Sequence, residues 1–231
     1  MDSEILLIDK PKNITSFDVI RRLRRKYSEA NDGAKSPKLG HAGTLDPLAT
    51  GLMVLGVGKG TKKLTELTKL DKEYLADVLL GERRSTGDME GLVLEEKKVD
   101  ESVEVLQPKI YSALNEMKGD LELPVSAYSA IKVDGVPMYK RARKAEKSGN
   151  TVAKVPLRTM KVYEAELLGV VVQSDRVVAT VRFFVGSGTY IRSLAEELGR
   201  RLGYPATLAN LRRTKVGNFS IEDAKQIEDF K

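Results

Sequence analysis

The chain has 231 residues, 39 lysines and arginines against 33 acids, a formal net charge of +6 and 41% hydrophobic residues. That length suits one large domain, and such a chain buries roughly 70–75% of its unfolded surface on folding. With no cysteine and a single histidine, His41, it can form no disulfide, thiolate zinc site, iron–sulfur cluster, cysteine nucleophile or multi-histidine metal site.

In chain order, residues 4–9 (EILLID) read as a short buried strand. Thr15 then offers a helix N-cap with Asp18 three residues on, and Phe17, Ile20, Leu23 and Tyr27 are expected to share the buried face. The rest of that helix carries Arg21, Arg22, Arg24, Arg25 and Lys26. Residues 29–51 are rich in Gly, Pro, Asn and Asp without helical period and read as a long loop, and loops of that length inside compact domains are usually functional or mobile. An apolar strand is expected at 52–57, a polar helix over 61–70 and a strand over 72–80. Alternation at 92–99 predicts a strand, and the helical segment up to Lys118 must kink or restart at Pro108.

Residues 126–133 read as a strand, Asp134-Gly135 as a turn and 138–147 as a basic helix. Two long strands, about 157–172 and 176–185, join through a polar turn. A helix over 190–202 closes at Gly203, and a short strand, a turn at Gly217 and a last acidic helix follow. Strands and helices mix without regular βαβ alternation. The expected class is α+β, a mixed, mainly antiparallel sheet with flanking helices, in one domain over residues 1–231. Apolar stretches fall far short of the ~20 residues of a membrane span. The Met-Asp-Ser-Glu start has no signal-peptide pattern, so a cytoplasmic location away from membranes is expected.

Two motif-like strings carry no chemistry. Gly56-Val57-Gly58-Lys59-Gly60-Thr61 departs from both the P-loop and the dinucleotide fingerprint and reads as a strand-to-helix turn. Gly186-Ser187-Gly188 lacks the outer glycines of a nucleophile elbow.

The densest special segment is Lys38–Gly51, KLGHAGTLDPLATG. Its glycines describe a backbone held in unusual conformations, and Asp46 before Pro47 is biased to an extended or turn geometry that presents the carboxylate. Gly40–Gly51 closely resembles the catalytic block of the TruB family, the tRNA pseudouridine-55 synthases. Further blocks match in order: Leu7-Ile8-Asp9-Lys10-Pro11, Asp71-Lys72-Glu73-Tyr74, Thr86-Gly87-Asp88 with Gly91, and Tyr128-Ser129-Ala130-Ile131-Lys132 with Gly135 and Tyr139. Gly188-Thr189-Tyr190-Ile191-Arg192 and Leu211-Arg212-Arg213 complete the set, so the resemblance spans about residue 5 to 213.

The resemblance implies the pseudouridine synthase fold and isomerisation of uridine, in which the N1–C1′ bond breaks, the uracil turns and C5 bonds to C1′. It implies Asp46 as nucleophile and Arg192 as the arginine that keeps the carboxylate ionised and oriented. Asp88 matches the position that holds this arginine. Tyr74 matches the tyrosine that stacks on the uracil and helps move the C5 proton. Tyr190 and Leu211 match pocket positions, His41 a histidine at the RNA, and Lys10 and Lys132 positioning residues on the substrate side. No metal or cofactor is implied.

The implied partner is tRNA, gripped at the T-arm with the target uridine flipped out, by a monomer with no obligatory protein partner. Basic runs adjoin the blocks: seven cations against one acid over 10–26, six against two over 132–147, and six against two over 192–215. Together they fit a surface for the RNA backbone. Two departures stand out. Val185-Gly186-Ser187 replaces a common cysteine and serine, and only 18 residues follow Arg213, so no separate C-terminal RNA-binding (PUA) domain is expected. The competing readings are an RNA-guided, dyskerin-type synthase and a non-catalytic RNA-binding module or RNA chaperone.

Overall fold

A computed structural model describes residues 4–129, 131–148 and 155–229. Ala130 of the central block lies outside the described residues, as do the first three residues on which the leader reading partly rests.

Strand β1 (Glu4–Lys10) leads to helix α1 (Ser16–Glu29). The Thr15 hydroxyl accepts from the Asp18 N–H at 3.0 Å, and the Asp18 carboxylate accepts from the Thr15 N–H at 2.9 Å. This is the reciprocal box that the sequence predicts. The buried face differs from expectation: Ser16, Val19, Ile20 and Leu23 are buried, whereas Phe17 is 62% exposed. At 3.6 residues per turn, position 17 lies roughly 110° from the centre of that stripe.

Short strand β2 (Leu39–His41) and strand β3 (Thr50–Val57) take up the end of the expected loop and pair antiparallel, His41 opposite Leu55. In place of one polar helix, a 3-10 turn over Gly58–Lys63 precedes the short helix α2 (Leu64–Thr68). Strands β4 (Lys72–Leu80), β5 (Glu82–Arg84) and β6 (Val93–Glu96) follow. Helix α3 (Val103–Glu116) runs through Pro108 as one element, with Leu106, Ile110, Ala113 and Leu114 buried along it. That buried face continues past the proline and outweighs one missing hydrogen bond.

Strand β7 (Gly119–Pro124) stands where the sequence placed none. Residues 126–129 hold a turn and bend over 127–129 rather than a strand, and strands β8 (Lys132–Val133) and β9 (Val136–Pro137) make a small hairpin. Asp134 and Gly135 take φ of +49° and +77°, the positive values that a type I′ turn requires. Helix α4 (Met138–Lys147), strands β10 (Leu157–Gln173) and β11 (Arg176–Val185), and helix α5 (Ile191–Leu202) fall as expected. Gly203 closes α5 at φ +76°, the left-handed cap that glycine favours. Strand β12 (Ala206–Val216) is long rather than short, and β13 (Phe219–Ser220) pairs with it. Two 3-10 turns, Ile221–Asp223 and Ile227–Asp229, replace the expected last helix.

The chain condenses into two compact units. The first comprises Met1–Leu75, Arg182–Ser187 and Asn210–Lys231. Its strands run β1-β3-β12-β4-β11, with β2 added to β3 and β13 to β12. The β1–β3 pair is antiparallel and the β12–β3 pair parallel. Ala42, Leu52, Val54 and Val216 form one of its core clusters. The second unit comprises Ala76–Val181 and Gly188–Ala209, with strand order β12-β4-β11-β10-β7. The β10–β7 pair is antiparallel, Leu157 opposite Pro124 and Val162 opposite Gly119. Leu106, Ile110 and Leu114 of α3 and Leu194 and Leu198 of α5 are buried there. Strands β4, β11 and β12 contribute residues to both units. The architecture is the α+β class expected, mainly antiparallel. No described helix is long and apolar enough to cross a membrane.

Candidate active site

In the first unit, Asp46 sits half-buried on the loop between β2 and β3, and the residues on either side of it are held by name. The Ser16 hydroxyl, at the first position of α1, donates to the Leu45 carbonyl at 3.0 Å and accepts from the Leu45 N–H at 2.8 Å. The Pro47 carbonyl accepts from the Asn13 N–H at 2.8 Å and from Lys10 Nζ at 3.4 Å. The Asp46 carbonyl itself accepts from the Ala49 N–H at 3.1 Å. Ser16, Asn13 and Lys10 thus hold the backbone on both sides of Asp46.

Lys10 is fully buried, and its ammonium also donates to the carbonyls of Pro11 at 2.9 Å and Ile14 at 2.7 Å. The structure therefore places Lys10 as an internal tie of the loop, its charge turned to main-chain oxygens. Arg213 is 1% exposed; Nε donates to the Leu52 carbonyl at 2.7 Å and Nη2 to the Gly43 carbonyl at 3.2 Å. Gly51 has φ +103°, and a Cβ there would lie 2.3 Å from the Arg213 carbonyl oxygen, so only glycine lets the two strands approach this closely.

His41 is partly buried, with Nδ1 enclosed and without a hydrogen-bond partner among the described residues. Burial, and then the charge of Arg213, push its pKa below the usual imidazole value, so the ring is neutral at pH 7. Tyr74 on β4 and Leu211 on β12 are buried, and the Leu211 carbonyl accepts from Thr50 Oγ1 at 3.4 Å. Lys72, two residues before Tyr74, donates to the Thr68 and Leu70 carbonyls. Burial, and then the Arg213 charge, lower its pKa to about 8.

In the second unit, Arg192 enters at the second position of α5 and is buried. Its Nη1 donates to the Thr86 carbonyl at 2.9 Å and stands 3.5 Å from Asp88 Oδ2, while Nη2 donates to the Tyr128 carbonyl at 3.3 Å. Asp88 is buried too, its Oδ1 accepting from the Thr86 hydroxyl at 2.5 Å and the Glu90 N–H at 3.1 Å. A guanidinium held this way has one orientation. Tyr190 is the partly exposed N-cap residue of α5, and Lys132 lies exposed on β8. One turn beyond Arg192, the carboxyl of Glu196 is pushed up by burial and pulled back by Arg83 and Arg192.

The structure redistributes the basic runs. Over 192–215 the cations are largely committed: Arg192 and Arg213 are buried, Arg200 and Arg201 bind Glu197, and Arg212 binds Asp9. Arg21, Arg22, Arg24 and Arg25 of α1 and Lys140, Arg143 and Lys144 of α4 are exposed or partly so. The sequence reading overlooked Ser16, a serine inside an ordinary helix start. It placed Arg213 among the RNA-facing cations. The signal for Arg213 was Gly51, whose requirement only the partner strand explains.

Residues 27–191 match the model of the TruB family pseudouridylate synthase N-terminal domain, and residues 192–231 that of the tRNA pseudouridylate synthase B C-terminal domain. The chain is 41% identical over 225 residues to the tRNA pseudouridine synthase B of Leifsonia xyli subsp. xyli, covering 97% of this chain and 70% of that protein. It is 42% identical to the protein of the same name from Opitutus terrae, covering 97% and 85%. Among solved structures, an H/ACA RNP bound to a substrate RNA containing 2′-deoxyuridine aligns with TM-score 0.65 at 26% identity, over 97% of this chain. A Cbf5-Nop10-Gar1 complex aligns with TM-score 0.66 at 26% identity, also over 97% of this chain. The chain spans about half the length of the solved chains it matches, 51% and 52%.

Proposed function

Because the chain belongs to the TruB family of pseudouridylate synthases, we propose that it converts uridine 55 in the T-arm of tRNA to pseudouridine. It acts as a cytoplasmic monomer with no obligatory protein partner and needs no metal or cofactor. The observation that carries this reading is the pinned Asp46 loop: one half-buried carboxylate on a backbone held at Leu45 and Pro47. Such preorganisation suits a nucleophile that must meet a flipped nucleotide without adjusting.

The reaction conserves atoms. Asp46 serves as nucleophile as N1–C1′ breaks, the uracil turns in place, C5 bonds to C1′, and the proton lost from C5 is balanced by one gained at N1. Hydrolysis of a glycosidic bond uses two carboxylates, one of them to protonate the leaving group or activate water. An isomerisation that retains its base needs only one. Tyr74 stacks on the uracil and assists the C5 proton. Arg192, oriented by Asp88, keeps the reacting carboxylate ionised. His41, Tyr190 and Leu211 line the nucleotide's surroundings, and Lys132 meets the RNA backbone. Lys10 serves the site through the loop it ties.

The test is an unmodified tRNA transcript incubated with the protein and no cofactor or guide RNA. Pseudouridine is expected at position 55 with the unaltered chain and none with Asp46→Asn, whose tRNA affinity stays within a few-fold. Substantial turnover by Asp46→Asn removes Asp46 from the nucleophile role. Activity that appears only with guide RNA and protein partners favours the RNA-guided reading, and binding without turnover favours an RNA-binding module.

A further inference from the structure

We propose that Arg213 is a positioning residue for Asp46, acting through the main chain on the loop before it and on the strand β3 after it. Gly43 lies three residues before Asp46 and Leu52 six after it, and one guanidinium donates to both carbonyls. The inference rests on Asp46 being the reacting group.

Burying a guanidinium carries a large desolvation penalty, and an apolar side chain would fill the same volume without it. What arginine adds is a planar fork that can bind two acceptors in fixed directions. The fork is mounted on firm backbone. Arg213 lies in β12, in parallel register with Gly51 of β3, and a Cβ on Gly51 would strike the Arg213 main chain at 2.3 Å. Gly43, at φ +103°, leaves 3.4 Å between an added Cβ and Arg213 Nη1. The fork thus ties β12 to Gly43 and to β3, and the span between Gly43 and Leu52 sets where Asp46 stands. The other anchors, Ser16 and Lys10, act on the residues beside Asp46, whereas Arg213 alone among these side chains joins the start of the loop at Gly43 to β3 at Leu52.

Arg213→Lys keeps the charge and can reach one carbonyl but not both. A misplacement of about 1 Å at a reacting group lowers the rate by roughly 100-fold. For Arg213→Lys we expect a single-turnover rate on tRNA at least ~30-fold lower, with affinity within ~3-fold of the unaltered protein. A role confined to holding the fold gives a different result: a lower melting temperature, fewer active molecules, and an unchanged rate per RNA-bound, folded molecule. Gly51→Ala is the second arm. It leaves the guanidinium in the chain and displaces the strand it is mounted on, so it should lower the rate in the same way.

A normal rate in folded Arg213→Lys overturns the proposal, as does loss of affinity in step with rate. If neither variant folds by circular dichroism, Arg213 holds the fold rather than the nucleophile, and the proposal is overturned as well. The unaltered protein and Asp46→Asn, run alongside, separate this failure from failure of the functional reading. If the unaltered protein is inactive on tRNA, hydrogen exchange of the 43–52 amides still decides: Arg213→Lys must raise it selectively over that of the surrounding β strands.

Discussion

Leu45 and Pro47 are ordinary residues made special by what holds them: a serine hydroxyl from α1 on one side, and a lysine ammonium and the main-chain N–H of Asn13 on the other. Asp46 sits between two backbone positions that are both held. At Arg192 it is the side chain itself that is held, by the Asp88 carboxylate and the main-chain carbonyls of Thr86 and Tyr128. That difference yields a prediction. Arg192→Lys keeps the charge but cannot satisfy the same three acceptors in one plane. The single-turnover rate should fall by at least ~100-fold, about 2.7 kcal/mol of transition-state stabilisation, while tRNA affinity changes little. An Arg192→Lys enzyme with near-normal single-turnover chemistry contradicts the assigned role.

Among the elements, β4 shows how local sequence and burial conflict. Its alternation is clear, yet the first inward position carries Lys72, whose ammonium reaches back to the Thr68 and Leu70 carbonyls at the end of α2. Burial lowers its pKa from 10.5 to about 8. The folded chain therefore gives up this proton at lower pH than the unfolded chain. Between about pH 8 and 10.5 the unfolded state binds more proton, so stability rises with pH, by at most ~1.4 kcal/mol per unit. Below pH 8 both states are charged and the slope vanishes. Denaturant titrations across pH 7–11 should show the wild type gaining stability relative to Lys72→Met over that window. Parallel curves for the two proteins would mean that the ammonium is not desolvated.

For the whole molecule, the net charge of +6 says less than where the cations stand. Those of 192–215 are largely paired or buried, whereas Arg22 and Arg24 of α1 are exposed and in no ion pair among the described residues, unlike Arg21 and Arg25, which pair with Asp18 and Glu29. A cation free to meet a phosphate releases a counterion on binding; one already held by a carboxylate does so weakly. Arg22→Gln should therefore reduce the slope of log affinity against log salt by about one. Arg201→Gln, whose guanidinium binds Glu197 and Glu116, should leave the slope nearly unchanged. Equal slope changes in the two variants would return the 192–215 run to the RNA-facing surface.

The amino-acid sequence by itself determined whatever depends on a few adjacent residues. The Thr15–Asp18 box, the Asp134-Gly135 turn and the Gly203 cap are each settled by side-chain chemistry or positive φ within one turn of chain, and all three stand as read. The family, too, was legible, because its blocks are local strings in a fixed order. Tertiary structure decided everything that needs a partner distant in the chain. Phe17 faces outward because the stripe of Val19, Ile20 and Leu23 is the one that packs in the core. Strand β7 exists because β10 supplies its register. Arg213 became an internal fork rather than a phosphate contact because β12 lies parallel to β3 and brings it within hydrogen-bonding reach of residues more than 150 positions away. A charged residue reads alike in sequence whether it ends in water or in the core. Only the groups that fold around it fix which, since burial is tolerated where acceptors are waiting.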